Sequence, residues 1–398
     1  MKEILFVVNS LNIGGPQKSL IALLDNIDYK KYQVDLYVLQ PGGELLQYVN
    51  KNVNVLETAP LHSAMTIPKN TIVKSIFTLT KNFFISTVVQ LLKNIVLRNS
   101  MKKFRQMNWK KNGNKLPKLP KNYDVAIGIL GLSTYFIVDC VTAKRKIHWV
   151  RSDIRMLKSD ESIDEYYYRK LDWIIAVSYQ TAEIFTNKYT FFKERTSVFY
   201  NLLPVTFYKE NKTLGIDNLI PISDEFKIIS IARLDPLKGF DLCIEACELL
   251  MKSGFKFKWY ILGDGQERQN IENDIKRRKL DKYMYLLGFQ FNTFEFLERC
   301  DILVHASRAE GKSNVIDEAK FLRKPIVVTN YPTVLEQVED SKNGLISDFS
   351  GESIFENIAR LINDKELFRI LSDNNDMKDN EKAYFERTNK LLEMLVNV

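Results

Sequence analysis

The sequence predicts an α/β protein built as two domains, each a parallel sheet covered by helices on both faces. Three observations carry this expectation. Short apolar runs alternate with helical stretches along most of the chain. The alternation is interrupted once, at Leu202–Glu225, where Pro204, Gly215 and Pro221 stand among polar residues without periodicity. The 398 residues, 45% hydrophobic and 27% charged, suffice for two large cores.

Taken in order, Ile4–Val8 predicts a strand, Asn9–Pro16 a polar loop containing glycine, Lys18–Asn26 a helix and Gln33–Leu39 the next strand. Thr71–Arg105 is helical in character. Strands follow at Asp124–Ile129, Lys146–Val150 and Trp173–Val177, then a helix at Tyr179–Lys188. After the interruption a second series begins, with strands at Lys227–Ile231, Lys258–Leu262, Met284–Leu287, Ile302–Val304 and Ile326–Val328. Helices lie between them, at Asp241–Lys252 and Gln266–Arg278 for example. The tail from Ser353 to Val398 is mostly helical. The expected boundaries are a first domain over 1–205, a linker over 206–225, a second domain over 226–375 and a last helix over 376–398 that packs back on the first domain. In open sheets of this kind ligands bind beyond the carboxyl ends of the strands. Two such domains facing each other make a cleft lined by the loops after the strands.

The net charge of +8 is unevenly placed. Thr58–Tyr123 holds 13 lysines and arginines and no acidic residue, leaving 44 basic against 49 acidic residues elsewhere. Such a segment seeks an anionic partner. Within 69–121, apolar residues (Phe77, Phe83, Phe84, Leu91, Leu92, Ile95, Val96) are interleaved with Lys74, Lys81, Lys93, Arg98, Lys102 and Lys103. That pattern suits a helix resting on an anionic membrane surface; it also suits a helix packed on the first sheet with solvated charges. No nucleic-acid-binding motif accompanies the charge. Neither a signal peptide nor a spanning helix is expected. Cys140, Cys243, Cys247 and Cys300 lack zinc or disulfide spacing and read as buried free thiols, in keeping with a cytoplasmic setting.

The chemistry concentrates in loops after strands. In ARLDPLKGFDLCIEA, Arg233 and Lys238 bring two cations to a strand end beside a helix start, an arrangement that binds phosphate. A solvated turn has the same look. In WYILGDGQE, Gly263 and Gly265 let a ligand approach the backbone, although a bare turn also uses them. Phe289, after Leu287-Gly288, stands where an aromatic meets a base, or it is plain core. SRAEGKSNVIDEAK places Glu310 and Glu318 eight apart. If a helix starts near Ser313 or Asn314, Glu310 lies in the loop and Glu318 one turn inside, with the N–H groups of Asn314 and Val315 between them. An elongated ligand fits: hydroxyls at both ends and phosphate in the middle.

The series RLDPLKGFD, LGDGQE, LGF, SRAEGKSNVIDEA and KPIVVTNYPTV resembles retaining glycosyltransferases of family four, over most of Lys227–Ser347. That family has the GT-B fold, two Rossmann-like parallel-sheet domains facing across a cleft. The resemblance is closest to bacterial enzymes of capsule, exopolysaccharide and wall-polymer synthesis. It implies that Glu310 and Glu318 form the family's paired-glutamate motif and that Arg233 and Lys238 hold the donor diphosphate. It implies a nucleotide-sugar donor, a UDP-sugar by the same resemblance, and a lipid-linked or polymeric glycan acceptor. It further implies front-side transfer with retention and neither cofactor nor essential metal. Donor contacts fall on Gly15, Arg233, Lys238, Gly263, Phe289, Glu310, Ser313, Asn314, Val315 and Glu318; Glu310, Arg233 and Lys238 carry catalysis.

The first half matches more loosely. Asn12-Ile13-Gly14-Gly15 resembles the family's glycine loop, but continues Pro16-Gln17 where Ala-Glu is usual. Trp149–Asp153 reads WVRSD, with Arg151 where relatives carry a histidine. Gly14, Arg151 and Asp153 are therefore the residues expected near acceptor or sugar. His148 is not a simple substitute, and His305 reads as structural. These departures keep an alternative open: a GT-B chain without catalysis, serving as partner subunit or acceptor-binding module. A dinucleotide-dependent oxidoreductase is disfavoured, because the first loop lacks GxGxxG.

Overall fold

The computed structural model describes residues 1–66, 101–157, 159–210, 215–375 and 381–397. The chain divides into two compact units, Met1–Leu202 with Asp379–Val398, and Leu203–Lys378.

Unit 1 is built on seven parallel strands: β1 (Lys2–Val8), β2 (Tyr32–Val38), β3 (Val53–Leu56), β4 (Asn122–Ile129), β5 (Thr142–Val150), β6 (Trp173–Ala176) and β7 (Thr196–Val198), in the order β3-β2-β1-β4-β5-β6-β7. Ile4 pairs with Val34 on one side and Val125 on the other. Ile4, Leu5, Phe6 and Val7 are all fully buried, as a strand covered on both faces requires. The helices of this unit are α1 (Gly15–Asp25), α2 (Pro60–Met65), α3 (Met101–Asn112), α4 (Leu132–Cys140), α5 (Glu161–Tyr168) and α6 (Tyr179–Lys188).

Of the cationic segment, 69–100 lies outside the described residues. The part that follows, α3, is amphipathic and docked. Phe104 and Trp109 are buried, Trp109 meets Phe136 edge-on at 6.3 Å, and its Nε1 donates to Asp139 at 3.1 Å. Gln106 donates to the Tyr135 hydroxyl and to Asp164. Lys102, Lys103 and Arg105 are half-buried, whereas Lys110, Lys111, Lys115 and Lys118 are exposed. Here the apolar residues serve the unit 1 core, Lys110, Lys111, Lys115 and Lys118 face solvent, and Lys102, Lys103 and Arg105 lie at the margin of the core.

Unit 2 opens with α7 (Val205–Glu210) and α8 (Ile216–Leu219), so the stretch expected as a linker folds into this unit. Phe207, Tyr208 and Ile220 are buried. Both helices are too short to leave a periodic signal. Its sheet comprises β8 (Phe226–Ile231), β9 (Phe257–Leu262), β10 (Met284–Gly288), β11 (Ile302–His305), β12 (Ile326–Thr329) and β13 (Leu345–Ser347), all parallel, in the order β10-β9-β8-β11-β12-β13. Alternate residues feed two cores. Ile228, Trp259, Ile261, Ile302 and Val304 pack with Cys243, Cys247 and Leu250 of α9 (Phe240–Lys252). Ile229, Ile231, Tyr260 and Leu303 pack on the opposite face with Phe296 and Ile316. The remaining helices are α10 (Arg268–Arg277), α11 (Thr293–Arg299), α12 (Asn314–Phe321), α13 (Gly351–Asn363) and α14 (Lys365–Asn374).

The last helix, α15 (Glu381–Asn397), belongs to unit 1. Asn389 clips it to the end of α1, donating to Asn26 O at 3.0 Å and accepting from Asp28 N at 2.8 Å. All four cysteines are buried free thiols, and burial pushes those of Cys140 and Cys243 up to about 12.

Trp109→Ala should cost about 3–5 kcal/mol in unfolding free energy by denaturant titration. Lys110→Gln should change it by less than about 0.5 kcal/mol. Equal, small effects would mean that α3 does not belong to the core.

Candidate active site

In unit 2 the candidate residues gather at the carboxyl ends of the strands. β8 ends at Ile231 and the chain turns through Arg233 to a short 3-10 turn, Pro236–Lys238, before α9. Gly239 joins that turn to α9 at φ +64°, and a Cβ there would sit 2.0 Å from the Ala306 carbonyl oxygen. Only glycine meets both demands. This contact lays the loop after β8 on the loop after β11, and so brings Lys238 to Glu310.

Lys238 Nζ lies 2.6 Å from Glu310 Oε1. The same oxygen accepts from Ser307 Oγ at 2.8 Å and meets His305 Nε2 at 3.1 Å. Among the described residues these contacts all fall on Oε1, so Oε2 is the atom left for a ligand. Burial alone would raise the Glu310 carboxyl, but the His305 hydrogen bond and the Lys238 charge outweigh it and hold the group down to about 2. Glu310 is thus an ionised acceptor near neutral pH rather than a proton donor. His305, which the sequence reads as structural, is buried at its strand end and also braces Glu310, five residues on.

The helix start falls where the sequence places it. Ser313 is the N-cap of α12 and Asn314 its first residue. Gln337 braces the cap, accepting from Ser313 N and donating to Ser313 O, both at 2.8 Å. Lys312 pairs with Asp317 in the first turn. Val315 is half-buried. Glu318 lies inside the helix and is almost fully buried. Its carboxylate accepts from Tyr208 Oη at 2.6 Å and from Thr293 Oγ1 at 2.8 Å. Tyr208 stacks on Phe294 at 4.1 Å. Neither hydroxyl is marked by the sequence, since Tyr208 lies 110 residues away from Glu318.

Arg233 differs from Lys238. Its side chain is 76% exposed and pairs with Asp235 at 2.9 Å, a contact of little energetic weight. Gly263, at φ +144°, has a nearer reason than ligand approach. A Cβ there would meet the Ala232 carbonyl oxygen at 1.9 Å, so the glycine lets the loops after β9 and β8 touch. Phe289 is 53% exposed, which removes the core reading and leaves an aromatic face at the end of β10.

In unit 1, Gly14 is the N-cap of α1, with Gly15 and Pro16 in its first turn. Asp153 caps the following turn and pairs with Arg155 at 2.6 Å. Arg151 is 7% exposed. Its Nη2 donates to Pro16 O at 3.3 Å and its guanidinium lies over the Trp149 ring at 5.0 Å. His148 is a core residue: it bonds Thr134 Oγ1 at 2.6 Å, stacks on Tyr168, and burial pulls it down to about 4.

Two parallel sheets of this order, with a phosphate-suited strand-end cluster in the second, define the GT-B class of fold. An Anabaena protein, Alr3699/HepE, solved with UDP and glucose, shares it at TM-score 0.69 and 16% identity, covering 100% of both chains. Residues 217–382, which take in most of unit 2, match the family described as Glycosyl transferases group 1. The N-acetylgalactosamine-N,N'-diacetylbacillosaminyl-diphospho-undecaprenol 4-alpha-N-acetylgalactosaminyltransferase of Campylobacter jejuni is 27% identical over 219 residues, 54% of this chain and 57% of that protein. The poly(ribitol-phosphate) alpha-N-acetylglucosaminyltransferase of Staphylococcus aureus is 30% identical over 141 residues, 34% of this chain and 28% of that one. The match thus spans less than two thirds of the length of these relatives.

Lowering Glu310 from an unfolded value near 4.5 to about 2 stabilises the fold above about pH 4.5, and the gain is lost as pH falls toward 2. Lys238→Met should therefore shift acid unfolding to higher pH. Superimposable curves for wild type and variant between pH 2 and 5 would show that the pair does not form in solution.

Proposed function

We propose that this protein is a retaining glycosyltransferase that moves a sugar from a nucleotide-diphosphate donor, a UDP-sugar, to a hydroxyl of a lipid-linked or polymeric cell-surface glycan. The observation that carries the proposal is the Lys238–Glu310–His305 cluster beside the start of α12. An ionised carboxylate with one oxygen tethered suits a sugar hydroxyl. A lysine fixed beside it suits a phosphate, and the helix start adds the positive end of a dipole.

The roles follow from that arrangement. As the glycosidic bond breaks, charge grows on the departing diphosphate. Lys238, Arg233 and the N–H groups of Asn314 and Val315 stabilise it, with Ser313 and Gly15 as further donor contacts. Losing one such contact costs about 3–4 kcal/mol in the barrier. Glu310 positions the sugar, Glu318 takes the ribose hydroxyls, and the exposed face of Phe289 receives the base. Gly263 holds the loop that completes this edge. Gly14, Arg151 and Asp153 serve the acceptor. The relatives from C. jejuni and S. aureus, named for undecaprenol-linked and poly(ribitol-phosphate) acceptors, support the choice of a cell-surface glycan.

The cationic segment brings the chain to the inner face of the cell membrane as a peripheral protein. Its 13 basic and no acidic residues support this. Among the described residues no helix is long and apolar enough to cross a membrane.

A nucleotide at about 100 times its Kd adds roughly 2.7 kcal/mol, a rise of several degrees in melting temperature. UDP should give that rise, GDP and ADP less, and Lys238→Ala should abolish it. Folded wild type that responds to no nucleotide overturns the donor site and favours the non-catalytic partner subunit.

On vesicles rich in anionic lipid at low salt, Lys110, Lys111, Lys115 and Lys118 should each contribute about 1 kcal/mol of binding. Wild type that ignores such vesicles, or a quadruple glutamine variant that binds equally well, overturns the membrane contact of this face.

A further inference from the structure

Among the described residues, Arg151 is the one site candidate in unit 1 whose charge has no counterpart. Buried guanidinium groups normally meet a carboxylate or fill their donor set with oxygen acceptors. Arg151 does neither. Among the described residues its single hydrogen bond is the long one from Nη2 to Pro16 O, and buried Nε and Nη1 have no partner. The nearby carboxylate in sequence, Asp153, is engaged by Arg155 through both oxygens. The first turn of α1 contains no acidic residue, and the charged residue that follows, Lys18, is also buried and positive. Trp149, beneath the guanidinium, has a buried Nε1 with no partner among the described residues. Burial pulls the Arg151 guanidinium down to about 9. A fold bears this cost when a ligand supplies the missing charge.

The position in the sheet points the same way. Arg151 follows β5 directly, and its contact with Pro16 joins it to the helix that follows β1. The strand order reverses at β1 and β4, with β2 on one side and β5 on the other. The crevice beyond the carboxyl ends at such a reversal is where open α/β sheets hold ligands, and the start of α1 faces it with its positive end.

We propose that unit 1 holds an oxyanion at this strand edge, a phosphate or carboxylate group of the sugar acceptor, bound by Arg151 Nε and Nη1 against the first turn of α1. Naming the group as part of the acceptor rests on the transferase reading above; the anion site itself does not. Arg151 is thereby a specificity residue that selects an acidic acceptor over a neutral one.

The test is calorimetric titration of the full chain with inorganic phosphate, glycerol 3-phosphate and glucuronate, on wild type, Lys238→Ala and Arg151→Gln. Wild type and Lys238→Ala should bind one of these anions alike, which separates this site from the unit 2 cations. Arg151→Gln should bind it roughly tenfold to a hundredfold more weakly. The phosphate compounds and glucuronate distinguish the two chemistries. Arg151→Gln should melt at or above the wild-type temperature, because it removes an unpaired buried charge. Unchanged affinity in Arg151→Gln, or a large fall in its melting temperature, overturns the proposal. Should that variant fail to fold, wild-type crystals soaked in selenate decide. A selenium peak within hydrogen-bond distance of Arg151 Nη1 supports the site; its absence there overturns it. UDP binding lost in Lys238→Ala with no anion binding at Arg151 defeats this inference and leaves the donor site standing; the reverse defeats the donor site alone.

Discussion

A parallel sheet has one edge at which every strand ends, and both units are organised by that constraint. Successive strands run the same way, so each connection must cross back over a face, and the functional loops collect at the carboxyl edge. In unit 2 the loops after β8, β9, β10 and β11 carry Arg233 and Lys238, Gly263, Phe289 and Glu310 respectively. β8 and β11 are neighbours at the point where strand order reverses. The Lys238–Glu310 ion pair spans that reversal. Gly239 against Ala306 and Gly263 against Ala232 set the loops close enough for the pair to form. The glycines of this region are therefore structural in their immediate cause, and they shape the edge for whatever it binds.

Both units compensate charge that they take out of water. Glu310 is held by a lysine, a histidine and a serine, all on one oxygen, and its ionised form is strongly favoured. Lys312 and Asp317 neutralise each other in the first turn of α12. Lys121 answers the fully buried Asp35 in unit 1, with Tyr123 donating to the same oxygen. Against this background Arg151 is an exception, and an uncompensated buried charge costs stability without a structural return.

Much of this was legible in the sequence, for physical reasons that also mark the limits. Central strands are buried on both faces, so Ile4–Val8 and Ile302–Val304 appear as continuous apolar runs. The start of α12 could be placed near Ser313 or Asn314 because Gly311-Lys312 breaks the preceding strand-like run. The edge strands β3, β7 and β13, of three or four residues, were too short to register, as were α7 and α8. Contacts distant in sequence were invisible: nothing local ties Tyr208 or Thr293 to Glu318, or shows that Arg151 meets no carboxylate among the described residues. Phe289 shows the same limit, since a phenylalanine at a strand end gives no sign of whether it is exposed.

Under the proposed function, the two cations divide their labour according to their settings. Lys238 is largely buried and fixed by Glu310, so its charge waits in one place and little entropy is lost when an anion arrives. Arg233 is mostly exposed and, among the described residues, held only by Asp235, which under the proposed function leaves it to close on the donor after binding. When an anion draws on Lys238, Glu310 retains His305 and Ser307 as partners and stays ionised. The carboxylate then keeps its acceptor role while the lysine turns part of its field to the phosphate. Under the proposed function this couples the two ends of the donor: the group that orients the sugar also sets the position of the charge that the leaving phosphate needs.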